Sequence, residues 1–84
     1  MYQVVKRDGQ IADFDIAKIS AAITKAFEAQ KKQYHPTIID MLALKVTADF
    51  EPKIREGLVQ GEEIQDSVEH VLEQTGYTDV AKAY

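Results

Sequence analysis

The sequence of 84 residues contains no cysteine. This absence excludes disulfides, thiol catalysis, cysteine-ligated zinc and iron–sulfur clusters. No stretch approaches the roughly 18 consecutive apolar residues of a membrane span, and the first six residues lack the apolar segment of a signal peptide. We therefore expect a cytoplasmic protein with no membrane partner. We expect one domain over residues 1–84, with a thin core that buries about 60–65% of the unfolded surface.

The general signatures of nucleotide enzymes are also missing, since there is neither a G-x-x-x-x-G-K-[ST] segment nor a G-x-G-x-x-G segment. The two histidines, His35 and His70, are isolated in the sequence and are interpreted as ordinary solvated side chains. Most carboxylates fall in the second half, where they are typical of a solvated helix face. We expect no catalytic residues and no metal ligands in this segment, so it is not an enzyme by itself.

The charge is distributed unevenly along the chain. The net charge is −4, but residues 1–32 carry +2 and residues 33–84 carry −6. An acidic domain binds nucleic acid poorly, because such binding depends on neutralising many phosphates. The basic first third can still hold one small anion, so we expect a small anionic ligand and no direct contact with nucleic acid.

Residues 2–15 have the pattern of a β-hairpin. Val4 and Val5 favour a first strand, Ile11 and Phe14 a second, and Asp8-Gly9 between them is typical of a two-residue type I′ turn. The predicted register pairs Arg7 with Gln10, Lys6 with Ile11 and Val5 with Ala12.

The rest of the chain alternates helical periodicity with short breaks. We predict helices over 16–30, capped by Asp15, over 37–50, and from residue 62 to Gly76, with an interruption at Glu51-Pro52. Residues 58–60 form a short third strand, and Thr78 caps a fourth helix that the sequence cuts short. The predicted fold is therefore α+β, a four-helix bundle capped by a small three-stranded β-sheet, in a fragment of a longer protein.

The candidate site lies around the hairpin tip. Lys6 and Arg7 flank the turn, and Lys18 falls on the first turn of helix one. Such cations are consistent with a solvated hairpin edge. They are also consistent with a phosphate site, because Arg forms forked hydrogen bonds to phosphate oxygens and Lys supplies a point charge. The start of helix one would add free backbone N–H groups and a partial positive charge.

The base of a nucleotide would have its own neighbours in this arrangement. Val4 and Phe14 are apolar and are placed to flank a base, and Asp15 is placed to accept a hydrogen bond from an exocyclic amine.

A series of motifs resembles the ATP-cone family. It begins with Val4-x-Lys6-Arg7-Asp8-Gly9 and Phe14-Asp15-x-x-Lys18-Ile19, continues with Ala22-Ile23-x-Lys25-Ala26 and Glu63-Ile64-Gln65-Asp66-x-Val68-Glu69-x-x-Leu72, and ends with Ala81-x-Ala83-Tyr84. The match covers nearly the whole chain in order, and the full series is specific although K-R-D-G alone is weak. ATP-cones are regulatory domains, mostly N-terminal in ribonucleotide reductases and also present in a repressor of the reductase genes.

The resemblance implies that ATP or dATP, alone or with Mg²⁺, binds beneath the hairpin as an allosteric effector. ATP would favour the active reductase and dATP the inhibited one, with the rest of the reductase and its oligomeric partners as the partners. By this likeness Lys6, Arg7 and Lys18 match phosphate-side positions, whereas Val4, Phe14 and Asp15 match positions around the base.

Two positions depart from some aerobic members of the family. Gly61 and Gln65 stand where those members have a threonine and a histidine. The segment that starts at Glu63 is more similar to anaerobic or cobalamin-dependent reductases, so an anaerobic triphosphate reductase is the favoured parent. The alternatives are the repressor, which normally has a cysteine zinc ribbon before its cone, and a degenerate cone that acts only in protein interaction.

Overall fold

The fold follows from three short strands that close one end of a bundle of helices. A computed structural model describes residues 2–84, and Met1, which the expected domain 1–84 includes, lies outside the described residues. The strands and helices are β1 (Gln3–Val5), β2 (Ile11–Asp13), α1 (Ile16–Ala29), α2 (Pro36–Phe50), β3 (Leu58–Gln60), α3 (Gly61–Gln74) and α4 (Thr78–Ala83), with a 3₁₀ turn at Glu51–Lys53. The predicted α+β class, with four helices and a three-stranded sheet, is confirmed.

The core lies between the helices. Its fully buried side chains come from apolar positions spaced three or four residues apart, which places them on one face of each helix. The largest of them are Phe27, Phe50, Ile23, Leu42 and Leu72. The helices therefore form the core against which the sheet packs.

The sheet has the order β2-β1-β3. The pair β1–β2 is antiparallel and the pair β1–β3 is parallel. Val4 pairs with Ala12 on one side and with Val59 on the other. These three residues lie across the sheet on the same face, and Val59 is buried, so this face covers the helices.

The predicted register of the hairpin is wrong by one residue. Val5 pairs with Ile11, and Val4 pairs with Ala12. Gly9 N donates to Lys6 O at 2.9 Å, and Lys6 N donates to Gln10 O at 2.7 Å, which makes a three-residue loop. Asp8 lacks the positive φ that a type I′ turn requires, whereas Gly9 has φ +89°. The extra loop residue turns Ala12 inward and leaves Ile11 56% exposed.

A tight turn with two positive φ angles does occur, but elsewhere. Glu56 has φ +54° and Gly57 has φ +77°, and Arg55 and Leu58 exchange two backbone hydrogen bonds across them. This turn feeds the chain directly into β3. It explains how a strand can follow so soon after the 3₁₀ turn at Glu51–Lys53.

The helix ends agree largely with expectation. Asp15 caps α1, as predicted, by accepting from Ala17 N at 3.0 Å. His35 is a cap and not merely a solvated side chain, since its Nδ1 accepts from Thr37 N at 3.1 Å. Thr78 is the first residue of α4, and Tyr77 occupies the cap position that was predicted for Thr78.

Candidate functional site

A cavity lies between the hairpin, the start of α1 and the start of α3. Its volume is about 210 Å³ and it opens to solvent, so it is smaller than the roughly 300–1,000 Å³ of small-molecule pockets. Its lining comes from four parts of the chain: Val4, Lys6, Ala12, Asp13, Phe14, Asp15, Lys18, Ile19, Gly61, Ile64 and Tyr84. Five of the six predicted site residues therefore meet at one place.

The two lysines reach the cavity from different elements. Lys6 follows β1 two residues after Val4, so strand alternation places it on the face that covers the helices. Lys18 lies in the first turn of α1. Both side chains are exposed, so they can change conformation to contact a flexible anion.

Arg7 does not line the cavity. Its side chain is 81% exposed, and its Nε lies 3.7 Å from Glu62 Oε1 in the first turn of α3. An exposed pair of this kind contributes little to stability. Arg7 therefore stands at the rim of the hairpin, outside the group formed by Lys6 and Lys18.

The start of α1 offers fewer free N–H groups than expected. Asp15 Oδ1 accepts from Ala17 N, and Lys18 N donates to Asp15 O at 3.0 Å. These two amides are already used by the helix cap. What α1 brings to the cavity is the positive end of its dipole and the Lys18 ammonium, while Asp15 keeps a second carboxylate oxygen.

The charged groups of the lining balance each other. Lys6 and Lys18 supply two positive charges, and Asp13 and Asp15 two negative ones. A plain anion gains little from such a lining. A ligand with phosphates at one end and N–H donors at the other is better matched, because each end can meet groups of the opposite character.

Phe14 lines the cavity and is half-buried. Its centroid is 4.7 Å from that of Tyr2 and 5.6 Å from that of Phe50. Phe50 is fully buried, so Phe14 is anchored to the core through it. Val4, by contrast, faces the cavity from the sheet.

Sequence reasoning missed several residues of the lining. In the sequence, Ile19, Ile64 and Tyr84 stand only as members of the family motifs, with no contact to a ligand predicted for them. Nothing in the periodicity indicates that one residue of a buried stripe borders a cavity. For Tyr84, the signal is that a large aromatic residue follows Ala81 and Ala83 on a helix packed against α1.

The two departures from the family pattern have different positions. Gly61 lines the cavity, and a Cβ atom added to it would lie 3.5 Å from Val5 O, an ordinary contact. A side chain would therefore fit at residue 61. Gln65 is not among the residues of the lining.

Residues 2–84 show neither of two other features, a cluster of metal ligands and a membrane-spanning helix. No three histidine, aspartate or glutamate side chains of this part of the chain are grouped as metal ligands. No helix that the structure describes combines the length and apolar character needed to cross a bilayer.

Comparison with known proteins identifies the family that shares this arrangement. A family model described as "ATP cone domain" matches residues 2–84. The match covers the hairpin, all four helices and the cavity between them.

Reductases are among the similar proteins. The chain is 41% identical over 87 residues to a ribonucleoside-diphosphate reductase subunit alpha of Chlamydia pneumoniae, covering 96% of this chain and 8% of that protein. It is 43% identical over 89 residues to a vitamin B12-dependent ribonucleoside-diphosphate reductase of Thermoplasma acidophilum, and 37% identical over 82 residues to one of Mycobacterium tuberculosis. Both alignments cover 98% of this chain and 11% of the relative, so the chain spans about a tenth of the relatives it matches.

Proposed function

The chain belongs to the ATP-cone family, and on that premise we propose that it binds ATP or dATP in the cavity beneath its hairpin and acts as an allosteric regulatory domain. The observation that carries the proposal is the convergence of Lys6 and Lys18 with Val4, Phe14 and Asp15 on one cavity. The first two suit a phosphate chain, and the other three suit a base with an exocyclic amine.

Arg7 takes a secondary role in this proposal. It lies beside Glu62 at the rim, 3.7 Å away, and both side chains are largely exposed. A long side chain on an exposed loop can turn to the outermost phosphate once a ligand is present. We therefore expect Arg7 to strengthen binding less than Lys6 or Lys18 does.

The regulatory effect would arise by linkage. A domain that contacts its parent differently with ATP and with dATP shifts the parent between two assemblies by the difference in contact free energy, typically about 1–3 kcal/mol. ATP would favour the active state and dATP the inhibited one. The two effectors differ by one ribose hydroxyl, so the shift depends on a polar group near that carbon.

The parent we propose is a ribonucleotide reductase. The relatives described above are named reductases, which favours this parent over a transcriptional repressor. All three are named diphosphate reductases, so the anaerobic triphosphate class stays a prediction that these relatives do not support. The partners would be the remaining domains of the reductase and its oligomeric neighbours, in the cytoplasm.

Magnesium would enter with the nucleotide and not as a resident ion. Asp13 Oδ1 accepts from Gln3 Nε2, and Asp15 Oδ1 accepts from Ala17 N, both at 3.0 Å. Each carboxylate is thus partly occupied, and Mg²⁺ prefers phosphate oxygens and water with one or two carboxylates. The cavity fits a metal held mainly by the phosphates.

Calorimetric titration with ATP and with dATP tests the proposal. We expect both to bind, and we expect Lys6→Ala together with Lys18→Ala to weaken binding by about a hundredfold or more. A hydrogen bond to a charged group contributes roughly 1.5–3 kcal/mol, and about 1.4 kcal/mol corresponds to tenfold in affinity.

The matched control is Lys45→Ala, an exposed lysine on α2 outside the cavity lining, which should leave binding unchanged. Arg7→Ala should fall between the two. If neither nucleotide binds the unmodified chain at millimolar concentration, the effector role fails and a purely interacting cone becomes the better account.

A further inference from the structure

The seven aromatic rings of the chain divide into six that contact another ring and one that does not. Three rings form one group under the hairpin: Tyr2, Phe14 and Phe50. Three form a second group where α1 meets α4: Phe27, Tyr34 and Tyr77. Within residues 2–84, Tyr84 alone has no aromatic neighbour.

Tyr84 is also the aromatic residue that borders two surface features at once. It lines the cavity together with Ile64 and Val4. It also lines a groove between α1 and α4 whose other residues include Ala22 and Ala29. The side chain is half-buried, and this burial, with the nearby Glu69 carboxylate, raises the pKa of its phenol. At neutral pH the ring is therefore uncharged.

Phe14, the other aromatic residue of the cavity, is less able to accept a base on its face. Its ring is engaged by Tyr2 at 4.7 Å and by the buried Phe50 at 5.6 Å. Turning it toward a ligand would break these contacts. Tyr84 also packs against the core but forms no ring pair, so stacking a base on it breaks no aromatic contact.

We infer that Tyr84 is the aromatic platform on which the purine stacks. The inference rests on the proposed nucleotide function and adds a binding residue to it. Stacking on an uncharged ring between the apolar side chains of Ile64 and Val4 suits a neutral purine.

The test compares ligands with and without a base. Stacking of a base on an aromatic side chain changes affinity by about tenfold or more when the ring is replaced by alanine. Tyr84→Ala should therefore weaken ATP binding by about tenfold. It should leave the affinity for inorganic tripolyphosphate unchanged, because that probe has no base.

Two further variants separate stacking from other effects. Tyr84→Phe keeps the ring and should bind ATP like the unmodified chain. Tyr34→Ala removes a tyrosine from the other aromatic group and should also leave ATP binding unchanged. Far-UV circular dichroism checks that each variant has kept its helices.

A measurement on the unmodified chain avoids any loss of folding. A purine stacked on Tyr84 shifts the ring proton resonances of this residue upfield in NMR spectra, whereas tripolyphosphate does not. Equal ATP affinity in the unmodified chain and Tyr84→Ala, or unshifted Tyr84 resonances in saturating ATP, would overturn the platform while leaving the nucleotide site intact. No ATP binding to the unmodified chain would overturn both.

Discussion

The bundle and the hairpin differ in how they are stabilised. In the bundle, side chains such as Leu42 and Val46 have no exposed surface, and each helix presses an apolar face on its neighbours. In β1 and β2, none of the six residues is fully buried, and the tip beyond them is charged. The bundle is therefore the source of stability, and the hairpin carries candidate site residues such as Lys6 with little core of its own.

The largest expected effect on the free energy of unfolding comes from a substitution in the bundle. Leu42→Ala should lower the free energy of unfolding by about 2–5 kcal/mol, because it removes a fully buried side chain and leaves a cavity. For a chain of this size that is a large fraction of the total. Urea denaturation measures it, and Leu44→Ala, on the exposed side of α2, is the control. A loss below about 1 kcal/mol would contradict a core at Leu42.

The hairpin should respond differently. Gly9→Ala forces a side chain into a backbone with φ +89°, which costs about 1–2 kcal/mol. Because the strain falls on the loop that positions Lys6, we expect nucleotide affinity to fall while the helical content of the bundle stays unchanged. Gly76→Ala is the control, since it imposes the same kind of strain at φ +91° on a residue outside the cavity lining. Equal affinities for the two variants would show that the loop does not set the position of Lys6.

A smaller effect of opposite sign is expected inside the bundle. Ser67 is fully buried, and its hydroxyl has no hydrogen-bond partner in the described residues. Ser67→Ala should raise the free energy of unfolding by up to about 1 kcal/mol, because it removes an unsatisfied polar group and improves helix propensity. Thr47→Val should lower it instead, because Thr47 Oγ1 donates to Ala43 O at 3.0 Å. Thermal unfolding of both variants distinguishes these signs.

The smallest expected effect on stability comes from a surface ion pair of the bundle. Lys32 Nζ lies 3.1 Å from Asp79 Oδ2, and this hydrogen bond lowers the pKa of Asp79 below its ordinary value of 3.8. A carboxyl group whose pKa is lower in the folded state stabilises the fold above its unfolded pKa. This contribution is lost as pH falls through the folded pKa, below about pH 4.

NMR titration of the Asp79 carboxyl should therefore give a higher pKa in Lys32→Ala. The stability of that variant should also depend less on pH in this acidic range. An unchanged Asp79 pKa would show that Lys32 does not hold it.

Much of the architecture could be predicted because local signals dominate it. Asp15 before an apolar stripe acts within a few residues of itself, and it caps α1 as expected. The predicted hairpin register was wrong because Asp8-Gly9 is compatible with a two-residue loop and also with a three-residue loop. The choice between them rests on which face of β2 is buried against the helices, and that is a tertiary property.

The site was predicted less completely for a similar reason. Lys6 and Lys18 could be proposed from a turn and a helix start, but their shared cavity depends on how the sheet sits on α1. Arg7 follows Lys6 directly, and strand alternation near the tip sends neighbours to opposite sides. Tyr84 is separated from both in sequence, and its place in the lining depends on the packing of α4.

The parallel pairing of β1 with β3 has a consequence for how the chain folds. It joins Gln3–Val5 to Leu58–Gln60, and α1 and α2 lie between them in the sequence. This ladder closes only after the intervening helices have brought its two halves together, because closing a long loop costs entropy before the new contacts repay it. We therefore expect the cavity beneath the hairpin to be assembled late in folding and to open readily when the fold fluctuates.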